Sequence, residues 1–302
     1  MTVLEVIQRS AEFLAPKGVE SARRNIEEML AQVLHMPRLQ LYLNFERKLT
    51  DAQTDTLRAM VKRRAQREPL QHILGTASFC GLEIAVSRAA LVPRPETELL
   101  AERAWTWLST LDSRPSTALD FGTGTGCLAI ALAVKAPNAT VHALDLSPEA
   151  LALARQNAET HKLTERIQLH AGDGFGALPA GMRFDLIVSN PPYIPSAEIA
   201  TLQPEVRDFD PRAALDGGPD GLDFYRRLAA EAGAWLKPGG KVMLEFGDGQ
   251  ADALRGIFCE PAWAVEAVEE DYSHRPRILV TRPFSPAANG LLEGAADPAR
   301  PS

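Results

Sequence analysis

The chain is expected to fold as an α/β protein, a largely parallel, Rossmann-like sheet flanked by helices and preceded by a small helical domain. Three observations predict this. From Thr117 to Phe258, short β-branched and apolar runs alternate with helix-patterned segments, the rhythm of βαβ units. One such run opens through Gly122-Thr123-Gly124-Thr125-Gly126 directly into an Ala- and Leu-rich helix. Four successive strands also end in a polar residue or a glycine turn, which a parallel sheet would gather on one edge.

The first 65 residues read as a helical bundle. Val3, Val6, Ile7, Phe13 and Leu14 recur at helical spacing until Pro16-Lys17-Gly18. Ser21 to Leu34 carries a second stripe, Ile26, Met29, Leu30, Val33 and Leu34, and stops at His35-Met36-Pro37. A third helix is expected from an N-cap at Thr50 through Leu57, Met60 and Val61. Arg58, Lys62, Arg63, Arg64 and Arg67 cluster at its end, to be read as a solvated helix face or as a contact surface for an acidic protein or RNA partner.

Residues 66–97 are expected to be extended, a β-ribbon linker. Pro69 to Gly75 and Phe79 to Val86 supply the runs, punctuated by Gly75 and Gly81. The stretch ends in Leu91-Val92-Pro93-Arg94-Pro95-Glu96-Thr97-Glu98, where two prolines stiffen the backbone just before a helix through Trp105, Trp107 and Leu108. It is either a rigid connection or one wall of a ligand pocket.

Thr117 to Phe121 is the first strand of the sheet. The glycines after it admit a ligand close to the backbone, and the helix from Cys127 to Lys135 offers its N-terminus to a carboxylate or phosphate. The second strand, Thr140 to Leu144, ends at Asp145, about 20 residues past the glycines, where an acid can accept both hydroxyls of a ribose. His142 within it reads as a core or edge histidine. A helix from Pro148 to Thr160 leads to the third strand, Ile167 to His170, and to Asp173, an acceptor for an adenine amino group. The spacing is Gly-x-Gly-x-Gly, not the dinucleotide Gly-x-Gly-x-x-Gly. A nucleoside carrying a small zwitterion fits better than one carrying a pyrophosphate, and S-adenosylmethionine has that shape.

The fourth strand, through Leu186, Ile187 and Val188, must stop at Ser189-Asn190, because Pro191 and Pro192 cannot donate to a ladder. Asn190-Pro191-Pro192-Tyr193 therefore sits on a stiff turn at a strand's C-terminal end. The Asn190 side-chain oxygen and the Pro191 carbonyl are acceptors that can each take one hydrogen of a planar NH2 group. That grip turns the nitrogen lone pair toward an electrophile and stabilises the charge developing on it, with Tyr193 as a flat platform. The long polar loop Ile194 to Asp220 would wall the substrate side. Beyond it come an amphipathic helix, Leu222 to Leu236, stopped by Lys237-Pro238-Gly239-Gly240, and a fifth strand, Lys241 to Phe246. A helix from Asp252 to Phe258 precedes a closing strand pair, Ala264 to Val268 and Arg277 to Thr281. Residues 284–302, rich in Ala, Pro and Gly, read as a disordered tail.

Composition narrows the partners. A net charge of −7 argues against a broad nucleic-acid footprint, which needs a basic face. No run approaches the roughly 18 apolar residues of a membrane span, and no leader pattern opens the chain, so a cytoplasmic protein is expected. Cys80, Cys127 and Cys259 have no metal or redox spacing and read as small reduced core residues. No metal site is expected.

Together these stretches resemble the PrmC (HemK) family of S-adenosylmethionine-dependent protein-glutamine N5-methyltransferases, over roughly residues 20–283. Asn190-Pro191-Pro192-Tyr193 is shared with enzymes that methylate amino groups of nucleic acids. More discriminating are Leu91 to Glu98 and the loop Ala214-Leu215-Asp216-Gly217-Gly218-Pro219-Asp220-Gly221-Leu222. Related enzymes acting on a ribosomal-protein glutamine read Pro-Arg-Ser where this chain reads Pro93-Arg94-Pro95.

The resemblance implies a seven-stranded class I methyltransferase sheet over residues 98–283, a helical domain over 1–65 that docks release factors, the 66–97 linker and the 284–302 tail. It implies S-adenosylmethionine held by Gly122, Thr123, Gly124, Thr125, Gly126, Asp145, Asp173, Gly174 and Asn190. Asn190, Pro191, Pro192 and Tyr193 would bind the substrate glutamine of the Gly-Gly-Gln loop of class I peptide chain release factors, with Asn190, Pro191 and Tyr193 catalytic. A monomer with no direct nucleic-acid binding is expected. Relatives often carry a larger side chain, sometimes Trp, where this chain has Gly174, so the adenine packing is expected to differ, with Phe175 as a candidate replacement. The other readings are a ribosomal-protein glutamine methyltransferase, a nucleic-acid amino methyltransferase, and a catalytically idle binding module.

Overall fold

The computed structural model describes residues 1–111 and 114–285. Apart from Phe284 and Ser285, the tail expected to be disordered lies outside the described residues. The N-terminal unit comprises helices Val3–Leu14 (α1), Ala22–Leu34 (α2), Asp51–Ala65 (α3) and Leu70–Leu74 (α4). The apolar stripes on α1 and α2 meet in one core with Leu57 and Met60 of α3. Thr50 caps α3 as expected: its hydroxyl accepts the Gln53 N–H and the Gln53 side chain accepts the Thr50 N–H, worth about 1 kcal/mol.

Two expectations need correction here. Pro69 to Gly75 is not extended. Pro69 precedes a short helix whose Leu70, Ile73 and Leu74 pack into the bundle, and Gly75, at φ +81°, ends it in the left-handed region. The bundle therefore continues past residue 65. Nor is the basic cluster simply a solvated face. Arg58 and Arg63 pair locally with Asp55 and Glu68, but Arg64 and Arg67 turn away from solvent to Glu205 in the loop after the fourth strand.

A two-stranded hairpin, Thr76–Phe79 (β1) and Leu82–Ala85 (β2), turns through Cys80 and Gly81, both at positive φ. The sheet domain then runs Pro95–Ser109 (α5), Ser116–Phe121 (β3), Cys127–Lys135 (α6), Ala139–Asp145 (β4), Pro148–Thr160 (α7), Ile167–Ala171 (β5) and Phe184–Ser189 (β6). It continues with Pro204–Arg207 (α8), Asp223–Glu231 (α9), Leu236–Glu245 (β7), Ala251–Ile257 (α10), Trp263–Glu270 (β8) and Pro276–Pro283 (β9). The strand order is β5-β4-β3-β6-β7-β9-β8, with β5 to β7 parallel and β9 antiparallel to both its neighbours.

The chain winds outward through β4 and β5 and returns to place β6 on the other side of β3. The carboxyl ends of β3 and β6 thus flank the point where the strand order reverses, the crevice where open α/β sheets bind ligands. Two apolar cores lie on the two faces: α5 and α6 pack over one, and α9 and α10 over the other.

Three further differences from expectation are local. The helix expected from Leu222 to Leu236 is α9 followed by a 3-10 turn, Ala232–Trp235, and Lys237 to Gly240 belong to β7. They form an irregularity in it: Phe184 pairs with Leu236 and Leu186 with Lys241. The 194–220 loop contains α8 and the 3-10 turns Ile199–Thr201 and Arg212–Ala214. Of the cysteines, Cys127 is buried, Cys80 is half-buried and Cys259 is exposed, so Cys259 is not a core residue. His142 is in the core, where its Nδ1 lies 2.9 Å from the His170 Nε2.

Candidate active site

A cavity of about 360 Å³ opens at the strand-order reversal. Its floor is the turn after β3. Gly122, Gly124 and Gly126 all sit at positive φ, a conformation that costs glycine nothing and other residues about 1–2 kcal/mol. Gly122 to Thr125 line the cavity, whereas Gly126 does not: a Cβ there would stand 3.1 Å from the Ala154 Cβ, so this glycine lets α6 approach α7. Beneath the turn lies Asp120, fully buried. Its Oδ2 accepts the Thr123 hydroxyl at 2.6 Å and the Ala129 N–H at 3.1 Å, while Oδ1 has no partner among the described residues. Burial pushes its carboxyl up to about 7 against those two bonds.

Asp145 stands at the rim. Its Oδ2 accepts the Gly124 N–H at 2.8 Å and its Oδ1 the Ser147 N–H at 2.9 Å, so the carboxylate is aimed by backbone while a second lone pair on each oxygen stays available. Two vicinal hydroxyls are what such an acid can take. Asp173 also borders the cavity; its side chain is largely exposed and its Oδ1 accepts from Arg227 Nη1 at 2.5 Å.

Arg227, on α9, also lines the cavity. A Cβ on Gly174 would lie 2.1 Å from its Nη2. The guanidinium therefore occupies the space a side chain at 174 would fill. Phe175, the expected replacement, is buried against Phe121 and Trp235 instead.

The opposite wall is the turn after β6. The Ser189 hydroxyl donates to the Phe121 carbonyl at 2.5 Å, which pins the end of β6 to the end of β3. Asn190 faces the same cavity as the glycine turn, and its Nδ2 donates to the Thr97 hydroxyl at 3.0 Å. Pro192 lines the cavity, Pro191 is buried, and Tyr193 does not border the cavity.

The backbone following Asn190 is held by glycines. A Cβ on Gly217 would come 2.8 Å from the Pro192 carbonyl oxygen, and one on Gly221 would come 2.3 Å from the Tyr193 carbonyl oxygen. The Tyr193 oxygen also accepts from Gln250 at 3.0 Å. The loop Ala214 to Leu222 is thus glycine-rich because it lies against the Pro192-Tyr193 backbone. Burial raises the Tyr193 hydroxyl to about 12, so the ring is neutral.

The 91–98 stretch and the long loop close the cavity from above. Leu91, Arg94 and Thr97 line it from one side, and Pro211 and Ala214 from the other. Arg94 joins them by an ion pair to the buried Asp210 at 2.6 Å. Burial raises the Asp210 carboxyl, against the Arg94 charge. Of the two readings of Leu91 to Glu98, the pocket wall is the one observed. Sequence reasoning missed Asp120 and Arg227. Asp120 had a signal, an acid in the strand that leads into the glycine turn, whereas Arg227 on a helix face had none.

No helix of the described residues is long and apolar enough to cross a membrane, and no group of three or more His, Cys, Asp or Glu among them is placed to hold a metal ion. Two family models match the sequence: the PrmC N-terminal domain over residues 5–75 and the methyltransferase small domain over residues 104–203. A release factor glutamine methyltransferase of Geobacter sulfurreducens is 48% identical over 259 residues, 85% of this chain and 88% of that protein. Its counterpart from Chlorobaculum tepidum is 42% identical over 284 residues, 92% of this chain and 96% of that protein. Among solved structures, a methyltransferase from Pyrococcus furiosus superposes with a TM-score of 0.50 at 22% identity, covering 72% of this chain and 98% of its own, a likeness of fold.

Proposed function

This chain belongs to the family of release factor glutamine methyltransferases, and from that premise we propose how its residues divide the work. The reaction transfers a methyl group from S-adenosylmethionine to the side-chain amide nitrogen of a release factor glutamine, leaving S-adenosylhomocysteine, and the methylated nitrogen then gives up one proton. The observation that carries the assignment is the single cavity bordered at one end by Gly122 to Thr125 and Asp145 and at the other by Asn190.

The residues present suit the cofactor. The glycine turn admits close approach of a small zwitterion, and Asp145 keeps lone pairs for a ribose. Arg227 offers a planar cation to an adenine face. When bound, S-adenosylmethionine supplies the electrophilic methyl. Asn190 receives one hydrogen of the glutamine NH2 through its side-chain oxygen and Pro191 receives the other through its carbonyl. This orients the nitrogen and stabilises the positive charge that develops on it. The carbonyls of Pro192 and Tyr193 lie against Gly217, Gly221 and Gln250, which supports Pro191 as the second acceptor. Tyr193, next in the same turn, serves as the flat platform for the substrate amide.

The partner is a class I release factor presenting its Gly-Gly-Gln loop. The helical bundle, tied to the 194–220 loop through Glu205, serves as the docking platform. The enzyme works in the cytoplasm as a monomer and does not bind nucleic acid. Transfer of tritiated methyl from labelled cofactor tests the substrate, with a purified class I release factor, ribosomal proteins and DNA offered in parallel. Label on the release factor glutamine is expected. Label confined to ribosomal protein or DNA would overturn the assignment.

A further inference from the structure

An amide side chain can present either its oxygen or its NH2 to a ligand, and the two ends differ by a half-turn about one bond. Asn190 can hold a substrate NH2 only with its oxygen facing the cavity. Something behind it must select that orientation.

Behind it is Thr97, on the first turn of α5 and buried. Asn190 Nδ2 donates to the Thr97 oxygen. A hydroxyl has one proton to give, and the direction in which it gives it decides whether it accepts from Asn190 or donates to it. The Thr97 hydroxyl in turn favours the ionised form of the buried Glu245 carboxyl. This residue ends β7 directly beside the end of β6: Leu244 pairs with Ser189, so Glu245 stands next to Asn190. It is 2% exposed, and its Oε2 has no partner among the described residues. A buried carboxyl with an unpartnered oxygen is costly and calls for an explanation.

We infer that Thr97 and Glu245 are positioning residues for methyl transfer: ionised Glu245 takes the Thr97 proton, the Thr97 oxygen then takes the Asn190 N–H, and this order turns the Asn190 oxygen into the cavity. The inference rests on the assignment of Asn190 as acceptor of the substrate amide. A carboxylate at the far end also polarises the chain, making the Asn190 oxygen a stronger acceptor for the charge that grows on the substrate nitrogen.

Protonation reverses the order. A neutral Glu245 can donate to Thr97, Thr97 can donate to the Asn190 oxygen, and the NH2 of Asn190 then meets the NH2 of the substrate, donor against donor. The balance sits in the neutral range. Burial pushes the Glu245 carboxyl up to about 7, against the Thr97 bond; Glu96 on α5 raises it further, while Arg277 on β9 and Arg94 lower it. The other groups facing it are the neutral phenols of Tyr193 and of Tyr225, whose hydroxyl donates to the Glu245 backbone carbonyl at 2.8 Å.

The test is the pH dependence of single-turnover methylation of a release factor by the full-length enzyme, with S-adenosylhomocysteine affinity measured alongside. The wild type should gain activity as pH rises through about 7. Glu245→Gln should lower kcat on the order of 100-fold and flatten that limb, because its amide donates like the protonated acid. Thr97→Val should lower kcat similarly and Thr97→Ser restore it, with S-adenosylhomocysteine affinity and the KM for release factor little changed. If Glu245→Gln does not fold, the Thr97 pair and the wild-type limb still decide. Wild-type kcat and an unchanged limb in Glu245→Gln, or wild-type kcat in Thr97→Val, would overturn the inference. Asn190→Ala separates the two levels. If it is inactive while Thr97→Val turns over normally, the positioning role alone is wrong. If Asn190→Ala is itself active, the acceptor assignment beneath it has failed.

Discussion

The side-chain nitrogen of Asn190 donates to the hydroxyl of Thr97 across 3.0 Å, joining the turn after β6 to the first turn of α5. The residues are far apart in sequence, and the contact decides which end of the Asn190 amide is free to meet a ligand.

Removing the Asn190 acceptor should spare the cofactor and stop the chemistry. Asn190→Ala is expected to bind S-adenosylhomocysteine with affinity close to wild type, because Gly122 to Thr125 and Asp145 are untouched. Turnover should fall roughly 100- to 1,000-fold, the usual loss when one transition-state hydrogen bond is deleted. Calorimetric titration and a methyl-transfer assay on the same preparation check both halves.

Arg227 and Gly174 should behave as a coupled pair. Arg227→Ala removes the planar cation from the cavity wall and the partner of Asp173. The KM for S-adenosylmethionine should rise several-fold, about 1 kcal/mol of binding, with kcat unchanged. Gly174→Ala should be more damaging, since its Cβ would meet the guanidinium at 2.1 Å and φ is +71°. Adding Arg227→Ala should relieve the collision but not the backbone strain, so the double-mutant cycle is non-additive. Additive effects on the KM would show that the two do not share that space.

Glu205 ties the helical bundle to the loop over the cavity, accepting from Arg64 Nη2 at 2.8 Å and from Arg67 Nη2 at 2.5 Å. Burial opposes its charge, but the bonds from Arg67 and Arg64 outweigh it and hold the carboxyl below its ordinary value. Glu205→Ala leaves the buried Arg64 cation short of a partner and should cost about 3 kcal/mol of unfolding free energy. It should also raise the KM for release factor more than that for S-adenosylmethionine. Denaturant titration and steady-state kinetics measure the two effects.

Two buried acids should make the cofactor-free protein less stable as pH rises toward neutrality. Burial raises Asp120 and Glu245 to about 7, above the values near 4 that each has in an unfolded chain. The folded state therefore holds protons that the unfolded state releases. The resulting stability is complete below about pH 4 and is lost as pH climbs to about 7. Carboxyls held low, such as Glu205 and Asp185, act in the opposite sense and only at the acid end, as pH falls through their depressed values. Between pH 5 and 7.5 the melting temperature should fall, and Asp120→Asn should flatten that slope. A melting temperature that rises across this interval in the wild type would contradict the assignment.

The strand ends were readable because their chemistry is local. Glycine after β3 permits positive φ, and Pro191 and Pro192 end β6 wherever the chain goes. The acid at 145 marks a strand end by its position. Helix and strand boundaries were also close, since caps such as Thr50 and Ser147 act within a few residues. The misreadings came where context overrode local preference. Pro69 to Gly75 is helical because its apolar residues find the bundle, and Lys237 to Gly240 joins β7 as an irregularity.

What the sequence by itself determined is the α/β architecture, the place of the cavity on the sheet and the stiff turn at Asn190, all set by backbone constraints on residues next to one another. Only the tertiary structure decided that Arg227 fills the gap left at Gly174, that Arg64 and Arg67 grip Glu205, and that Thr97 meets the side chain of Asn190. Each of those contacts joins side chains from different elements, and which charges meet, and how deeply they are buried, depends on packing that no local spacing records.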